Sequence, residues 1–209
     1  MKEYFRHLNK INEQHPFIKK MKESAINNNI PIINDEGLSL IFQLIKITRA
    51  NYFLEIGTAI AYTAINVALY DENIIVDTIE RDKKMYLNAL ENIKQLSLND
   101  RINIYNHDAL DLDIKVLNKK YDIIFIDAAK AQYQKFFEKY ESLLSDRGLF
   151  VCDNLLFHGL VESDEEIKSR SLRSLVNKIR NFNSWLANNK KYQTVFLNIG
   201  DGMAVSIKK

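Results

Sequence analysis

Short apolar runs alternate with longer and more polar segments along most of this chain. Each run is short enough for a single strand and is bounded by polar residues. Strands that are apolar throughout and are separated by helices are typical of a parallel sheet covered on both faces. The pattern therefore predicts a doubly wound α/β fold with strands at Tyr52–Ile56, Ile74–Ile79, Ile102–Tyr105, Tyr121–Ile126 and Gly148–Cys152.

Helical spacing of apolar residues covers the start of the chain and the segments between these strands. We expect N-terminal helices over residues 1–50, one of which Asp35 would cap and which would end near Arg49. Another helix is expected to begin at about Ala59. The remaining predicted helices are Asp82–Leu96, Ala131–Leu144 and a long polar one from Asp164 to about Asn188.

The end of the chain departs from this alternation. Two apolar runs, Tyr192–Ile199 and Met203–Ile207, have only Gly200, Asp201 and Gly202 between them. Strands joined by so short a turn must be antiparallel, because a parallel pair needs a crossover of roughly a dozen residues or more. A parallel sheet that ends in such a hairpin resembles the Rossmann-like fold of class I methyltransferases, by analogy of fold alone.

Composition narrows the class of protein. A chain of 209 residues that is 46% hydrophobic predicts one domain over residues 1–209, with the α/β core at 51–209 and a basic insertion at about 155–190. The net charge of +2 does not by itself require a nucleic-acid partner. A single Cys, no apolar leader and no run long enough to span a bilayer favour a soluble cytoplasmic protein without a membrane partner.

Acidic residues directly follow the predicted strands, where the ligand of an open α/β sheet binds. Gly57, after strand one, would let the backbone turn tightly and approach a ligand. Glu80 ends strand two and is placed to accept both hydroxyls of a ribose. The alternatives are a plain turn at Gly57 and a surface carboxylate at Glu80 that pairs with Arg81 or Lys83.

Oxygen donors also follow strands four and five. Asp127, Asp153 and Asn154 would converge at one edge of the sheet, and such hard ligands suit Mg²⁺, Mn²⁺ or Ca²⁺. Two carboxylates so close together raise each other's pKa unless a cation neutralises them. Lys130 is the nearby candidate for a general base. Alternatively, Asp153 and Asn154 merely open a loop and Lys130 is a solvated side chain.

Five segments together resemble the cation-dependent O-methyltransferases of the catechol and caffeoyl-CoA type. In consistent order from about Pro31 onwards, they are LEIGTAIAYTAI, DTIERD, FIDAAKAQY, CDNLLFHGLV and NIGDGMAVS. Within that family the chain is most similar to the bacterial tRNA 5-hydroxyuridine methyltransferases. The narrower resemblance lies in DNLLFHGLV and in SRSLRSLVNKIRNFNSWL.

The resemblance implies both the cofactor site and the metal site. Mg²⁺, or else Mn²⁺, would be held by Asp127, Asp153 and Asn154, with Asp127 and Lys130 as the catalytic residues. Ala61 stands where the family usually has a second glycine, which puts the affinity for the cofactor in question. The residues implied to bind S-adenosylmethionine are Ile33, Glu55, Gly57, Thr63, Glu80, Asp108, Ala109 and Asp127.

The implied substrate is 5-hydroxyuridine at wobble position 34, in the anticodon loop of tRNA. Tyr133 or Phe157 could stack on the flipped base, and His158, Arg170 and Arg173 are further predicted contacts. Basic residues on the insertion and on the N-terminal helices could hold phosphates of the anticodon loop. The alternative is that they form solvated helix faces. They are Lys168, Arg170, Arg173, Lys178, Arg180, Lys2, Arg6, Lys10, Lys19, Lys20 and Lys22.

Two other functions remain open at this point. The enzyme could methylate a small catechol-like hydroxyl, which would not need the basic residues. The chain could also be a non-catalytic nucleotide- or RNA-binding module of this fold, although such a module has no need of Asp127, Lys130, Asp153 and Asn154 together. The resemblance also implies a homodimer, with the N-terminal helices as a candidate interface.

Overall fold

A computed structural model describes residues 15–163 and 167–209. Its strands are β1 (Tyr52–Ile56), β2 (Ile75–Ile79), β3 (Ile102–Tyr105), β4 (Tyr121–Ile126), β5 (Leu144–Cys152), β6 (Tyr192–Leu197) and β7 (Met203–Lys208). Its helices are α1 (Pro16–Asn27), α2 (Asp35–Thr48), α3 (Tyr62–Tyr70), α4 (Lys83–Gln95), α5 (Tyr133–Tyr140) and α6 (Arg170–Ala187). Short 3-10 turns occur at Ile114–Val116, Lys130–Gln132 and Glu141–Leu143.

The seven strands form one sheet in the order β3-β2-β1-β4-β5-β7-β6. Strands β1 to β5 pair in parallel, and β7 runs antiparallel to both β5 and β6. This confirms the predicted doubly wound fold and its antiparallel ending. The direction of winding reverses between β1 and β4, and a crevice for a ligand opens at such a switch point.

Both faces of the sheet are buried, because side chains alternate along each strand. Phe53, Phe125 and Val151 belong to the core on one face, where α1 to α4 pack. Ile124 and Phe150 belong to the core on the other face, where α5 and α6 pack. Burial on both sides explains why the central strands are apolar throughout.

Several predicted boundaries are wrong. No helix begins at Ala59; α3 begins at Tyr62, since Ala59 and Ala61 have left-handed φ angles of 48° and 64°. Asn34, and not Asp35, caps α2 through its side chain, which accepts a hydrogen bond from the N–H of Gly37 at 2.8 Å.

The other differences lie around β5 and α6. The segment predicted as one helix from Ala131 to Leu144 consists of α5 between two 3-10 turns, and β5 begins at Leu144, ahead of the predicted Gly148. Helix α6 begins at Arg170 with Ser169 as its cap, whereas the predicted start at Asp164 lies outside the described residues. Among the described residues, no helix is both long and apolar enough to cross a membrane.

Candidate active site

A cavity of about 330 Å³ opens at the carboxyl ends of β1, β2 and β4. Lys130 and most of the residues predicted to bind the cofactor line it. Glu55 does not line the cavity and is buried in β1 behind it. The lining residues among the predicted ones are Ile33, Gly57, Thr63, Glu80, Asp108, Ala109 and Asp127.

Two backbone segments, at Gly57 and at Asp127, approach each other closely beside the cavity. Gly57 has a φ of 97°, and a Cβ atom there would lie 2.1 Å from the carbonyl oxygen of Asp127. The N–H of Asp127 donates to the carbonyl of Ile56 at 3.0 Å. Because any side chain at position 57 would separate β1 from the start of the Asp127 loop, only glycine fits here.

Glu80 is held towards the cavity by backbone hydrogen bonds. Its Oε2 accepts from the N–H of Ala59 at 2.8 Å, and its Oε1 accepts from the N–H of Asp82 at 2.7 Å. In the described part of the chain it pairs with neither Arg81 nor Lys83; Arg81 lies 3.6 Å from Asp108 instead. Each carboxylate oxygen keeps a further acceptor position, which a ribose hydroxyl could use.

Glu55 makes the region behind the cavity acidic. It is 1% exposed, and its Oε2 accepts a hydrogen bond from the hydroxyl of Thr78 at 2.6 Å. Burial raises the pKa of Glu55 to about 8, and the charges of Asp127 and Glu80 add to this effect. A cationic group bound nearby would favour the ionised carboxylate, so the site suits a ligand that carries positive charge.

Two of the predicted metal ligands, Asp127 and Asp153, lie close together at the ends of β4 and β5, and Asn154 directly follows Asp153. Burial, followed by the charge of Asp127, raises the pKa of Asp153 to about 7. The Oδ1 of Asp153 accepts from the N–H of Asn154 at 2.6 Å. Within residues 15–163 and 167–209, no three His, Cys, Asp or Glu side chains form a group that could hold a metal ion. The donor set here, two carboxylates and one amide, nevertheless suits a hard divalent cation by its chemistry, and Asp153 is buried without an ion pair among the described residues.

Lys130 is the first residue of the 3-10 turn that follows β4. Its Nζ lies 2.9 Å from Oδ1 of Asp127, and the side chain is 20% exposed. The same amine lies 5.9 Å from the ring centre of Tyr133. Lys130 therefore stands between the cavity and the space in front of α5, where a substrate hydroxyl could reach it.

The hairpin between β6 and β7 fixes the loop after β5. The N–H groups of Leu155, Leu156 and His158 donate to the carbonyls of Gly202 and Asp201 and to Oδ1 of Asp201, at 2.9, 2.9 and 2.7 Å. The second oxygen of Asp201 is buried without a hydrogen-bond partner among the described residues, 3.7 Å from Nδ1 of His158. Sequence reasoning missed this role of Asp201, although its position between two glycines in a tight turn was a signal.

Tyr133 does not stack on a substrate base, so that part of the prediction is wrong. Its side chain is 1% exposed, its ring meets that of Phe182 edge to face at 5.5 Å, and its hydroxyl donates to the carbonyl of Asp153 at 3.0 Å. Phe157 and His158 lie in the loop after β5 with left-handed φ angles. The side chain of His158 is 80% exposed, so a substrate can reach it.

Two of the predicted basic contacts bind the backbone of the chain itself. Arg173 donates from Nε and Nη2 to the carbonyl of Ile167 at 3.0 and 2.7 Å. Arg180 binds the carbonyls of the loop that precedes α6. Arg170 is exposed at the start of α6. Lys2, Arg6 and Lys10 lie outside the described residues.

Comparison with known proteins adds the following. The family model described as O-methyltransferase matches residues 8–209. The catechol O-methyltransferase of Niastella koreensis is 30% identical over 79% of this chain and 77% of that protein. A Staphylococcus aureus structure with a provisional caffeoyl-CoA O-methyltransferase name is 40% identical, with a TM-score of 0.93 and coverage of 100% and 99% of the two chains. A Bacillus cereus O-methyltransferase in complex with S-adenosylhomocysteine has the same fold, with a TM-score of 0.81, 24% identity and coverage of 96% and 94%.

Proposed function

Since the chain belongs to the O-methyltransferase family, we propose that it is a Mg²⁺-dependent enzyme that methylates the 5-hydroxyl of 5-hydroxyuridine at wobble position 34 of tRNA, giving 5-methoxyuridine. Family membership by itself supports the more general conclusion that the chain is an S-adenosylmethionine-dependent O-methyltransferase. The closeness of Asp127, Lys130 and Asp153, with Asn154 next in the chain, is the observation that carries the cation-dependent methyl transfer. The tRNA substrate is supported by the resemblance in DNLLFHGLV and SRSLRSLVNKIRNFNSWL. A binding module would have no use for this set.

The cavity has the donors and acceptors that S-adenosylmethionine requires. This cofactor supplies an electrophilic methyl group on a sulfonium. We expect Glu80 to accept from the ribose hydroxyls, because backbone hydrogen bonds already orient both of its oxygens. Glu55 would face the positive end of the cofactor, and Asp108 and Ala109 would flank the adenine on the opposite side of the cavity.

We expect Asp127, Asp153 and Asn154 to hold the divalent cation. A divalent cation held there would lower the pKa of the substrate hydroxyl and so favour the oxyanion that attacks the methyl group. The two adjacent oxygens of 5-hydroxyuridine, O4 and the 5-hydroxyl, form a chelating pair. The buried carboxylate of Asp153 supports this role, since it has little countercharge within the chain.

Lys130 is the proposed general base. Its Nζ lies 2.9 Å from Oδ1 of Asp127 and lines the cavity, where it could take the proton of a substrate hydroxyl. The close approach of Gly57 to Asp127 would keep this amine next to the cofactor. The substrate oxygen, its proton passed to Lys130, would attack the methyl group in line, and the carbon–sulfur bond would break so that S-adenosylhomocysteine leaves.

A second candidate function is methylation of a small catechol-like hydroxyl. The relative from Niastella koreensis, 30% identical and named a catechol O-methyltransferase, favours it. A catechol presents the same pair of adjacent oxygens, so the metal and base residues do not separate the two candidates. They differ in the contacts outside the cavity.

Mass spectrometry of nucleosides separates the two candidates. The enzyme, isotope-labelled S-adenosylmethionine and Mg²⁺ are incubated with tRNA that carries 5-hydroxyuridine and, in parallel, with a catechol. We expect labelled 5-methoxyuridine from the tRNA and its loss in EDTA, with recovery when Mg²⁺ or Mn²⁺ is restored. Label found only in the catechol product would support the second candidate, and full activity in EDTA would remove the cation from the mechanism.

We further propose that the protein is a homodimer. Apart from the family resemblance, the support comes from exposed apolar side chains on β6 and β7, namely Val195, Phe196 and Ile207. An edge strand with such side chains can pair or pack with a second copy. Sedimentation equilibrium measures the oligomeric state directly, and a monomer at micromolar concentration would contradict the proposal.

A further inference from the structure

A second groove adjoins the cavity on the far side of Lys130. It has a volume of about 470 Å³ and lies between the Lys130–Gln132 turn with α5 on one side and α6 on the other. Lys130 and Gln132 line both the cavity and the groove. The groove therefore leads directly to the proposed base.

Two lysine side chains of the groove are free to contact a ligand. Lys135 and Lys178 face it from opposite walls, and both are exposed. Neither makes an ion pair or a hydrogen bond within the described part of the chain, in contrast to Arg173 and Arg180. Glu138, the acidic residue on the groove wall, accepts a hydrogen bond from Gln134 at 2.9 Å.

Gln132 presents an unsatisfied acceptor where the groove meets the cavity. Its Oε1 is buried and has no hydrogen-bond partner among residues 15–163 and 167–209. A buried acceptor without a partner is unfavourable, so a ligand that donates a hydrogen bond here is favoured. A ribose 2′-hydroxyl is such a donor, and it is the group that distinguishes RNA from DNA.

The floor of the groove is already formed. The rings of Tyr133 and Phe182 join α5 to α6 edge to face at 5.5 Å, and both side chains are buried. This packing fixes the separation of the walls that carry Lys135 and Lys178. A chain of phosphates can therefore bind without first ordering the groove.

From these observations we propose that the groove binds the phosphodiester backbone beside the target nucleotide, with Lys135 and Lys178 as its phosphate contacts. The inference rests on the proposed tRNA function and extends it to named residues. Phosphate contacts position an RNA substrate without reading its sequence. A small catechol bound beside Lys130 would not extend to Lys135 or Lys178.

The test compares two double charge reversals in the full chain. The variant K135E/K178E alters the groove, whereas K94E/K115E removes the same positive charge from two exposed lysines that do not line it. For each, KM and kcat are measured on 5-hydroxyuridine tRNA together with the salt dependence of tRNA binding. We expect K135E/K178E to raise KM about tenfold or more and to reduce the slope of log K against log salt by about 2.

The effect should fall on KM rather than on kcat, and K94E/K115E should have the KM of the wild type. An unchanged KM in K135E/K178E, or an equal increase in both double variants, would overturn the proposal. Circular dichroism checks folding, and K135Q/K178Q replaces the reversal if it does not fold. Binding of an acidic protein segment in place of tRNA would also overturn it. Failure of the proposed function is distinguishable, since the wild type would then transfer no methyl group to tRNA.

Discussion

Asp77 and Asp153 are both buried carboxylates on the same sheet, and they differ in what surrounds them. Each is 1% exposed. Asp77, in the middle of β2, accepts hydrogen bonds from Lys119 at 2.9 Å, from Asn103 at 2.7 Å and from the hydroxyl of Tyr121. Asp153, at the end of β5, accepts from one backbone N–H and lies near a second acid.

The difference separates an acid that the fold compensates from one that it does not. A buried charge is tolerated when charged and hydrogen-bonding partners compensate it. The chain provides those partners for Asp77 from β3, β4 and the preceding loop. At Asp153 the chain supplies one backbone N–H, and burial and the charge of Asp127 raise its pKa to about 7. Four variants and one pH series test this distinction.

Replacement of Asp153 by Ala should have the largest effect, as a loss of activity without a loss of stability. We expect kcat to fall by on the order of 1000-fold because the proposed metal ligand is lost, while the free energy of unfolding stays equal or rises, since a poorly compensated buried acid is removed. Methyl transfer and urea denaturation measure the two quantities. The exposed Asp146→Ala is the matched control. A marked loss of stability in D153A with a normal kcat per folded molecule would mean that Asp153, like Asp77, has only a structural role.

Replacement of Asp77 by Ala should act in the opposite way. Removing one partner of a buried ion pair costs about 3 kcal/mol, at the low end of the usual range because the Lys119 side chain is 26% exposed and can reach water. Urea denaturation should show this loss, with methyl transfer per folded molecule retained. Asp100→Ala, which alters an exposed acid near β3, is the control. A catalytic defect in folded D77A would remove the distinction.

Two lysines that form ion pairs with acids, Lys130 with Asp127 and Lys119 with Asp77, sharpen the comparison. Lys130→Ala should lower kcat by about 100-fold, as expected for loss of a general base, with a much smaller change in cofactor affinity. Lys119→Ala should lower stability and leave kcat per folded molecule near that of the wild type, since Lys119 compensates Asp77. Stopped assays and calorimetric titration of the cofactor give the two parameters. A normal kcat in K130A would take Lys130 out of the mechanism.

Glu55 is a third buried acid. The dependence of stability on pH shows whether its charge is compensated, as for Asp77, or poorly compensated, as for Asp153. Its folded pKa of about 8 lies above the ordinary value of 4.5, so between these pH values the folded state binds more protons than the unfolded state. The stability of the cofactor-free protein should therefore fall as pH rises from about 4.5 to 8, by on the order of 5 kcal/mol. Glu55→Gln should flatten this part of the curve in urea titrations. An equally steep curve in E55Q would assign the dependence to other groups.

Ala61→Gly should have the smallest effect. Ala61 has a φ of 64° and is fully buried, and a left-handed Ala costs roughly 1 kcal/mol relative to Gly in that conformation. We expect a gain of up to about 1 kcal/mol in stability, reduced by the greater freedom of glycine in the unfolded chain. Cofactor affinity should stay equal or increase slightly. A loss of stability would mean that packing of the Ala61 methyl group outweighs the backbone strain.

The sequence was sufficient for the fold because the central strands are buried on both faces and therefore appear as uninterrupted apolar runs. It was insufficient where the outcome depends on a distant partner. Tyr133 is buried because Phe182 on α6 packs against its ring, and the charge of Asp77 is compensated by Lys119. The sequence around Tyr133 or Asp77 indicates neither contact. The start of β5 was missed because Ser145 and Asp146 are polar.

The candidate site divides in the same way. Gly57, Glu80 and Asp127 were predictable from their positions after strands, and the structure brings them to one cavity. Backbone contacts over long separations were not predictable, among them Arg180 with the loop before α6 and Asp201 with His158. Such contacts depend on the conformation of loops, and residue type carries little information about them.

The dependence of the loop after β5 on the last hairpin has a consequence for synthesis on the ribosome. Every residue that lines the cofactor cavity lies between Ile30 and Phe136. The N–H groups of Leu155, Leu156 and His158 have their acceptors in Asp201 and Gly202, which are among the last residues to leave the ribosome. A nascent chain that ends before Asp201 therefore contains the whole lining of the cofactor cavity but lacks the contacts that hold the loop after β5.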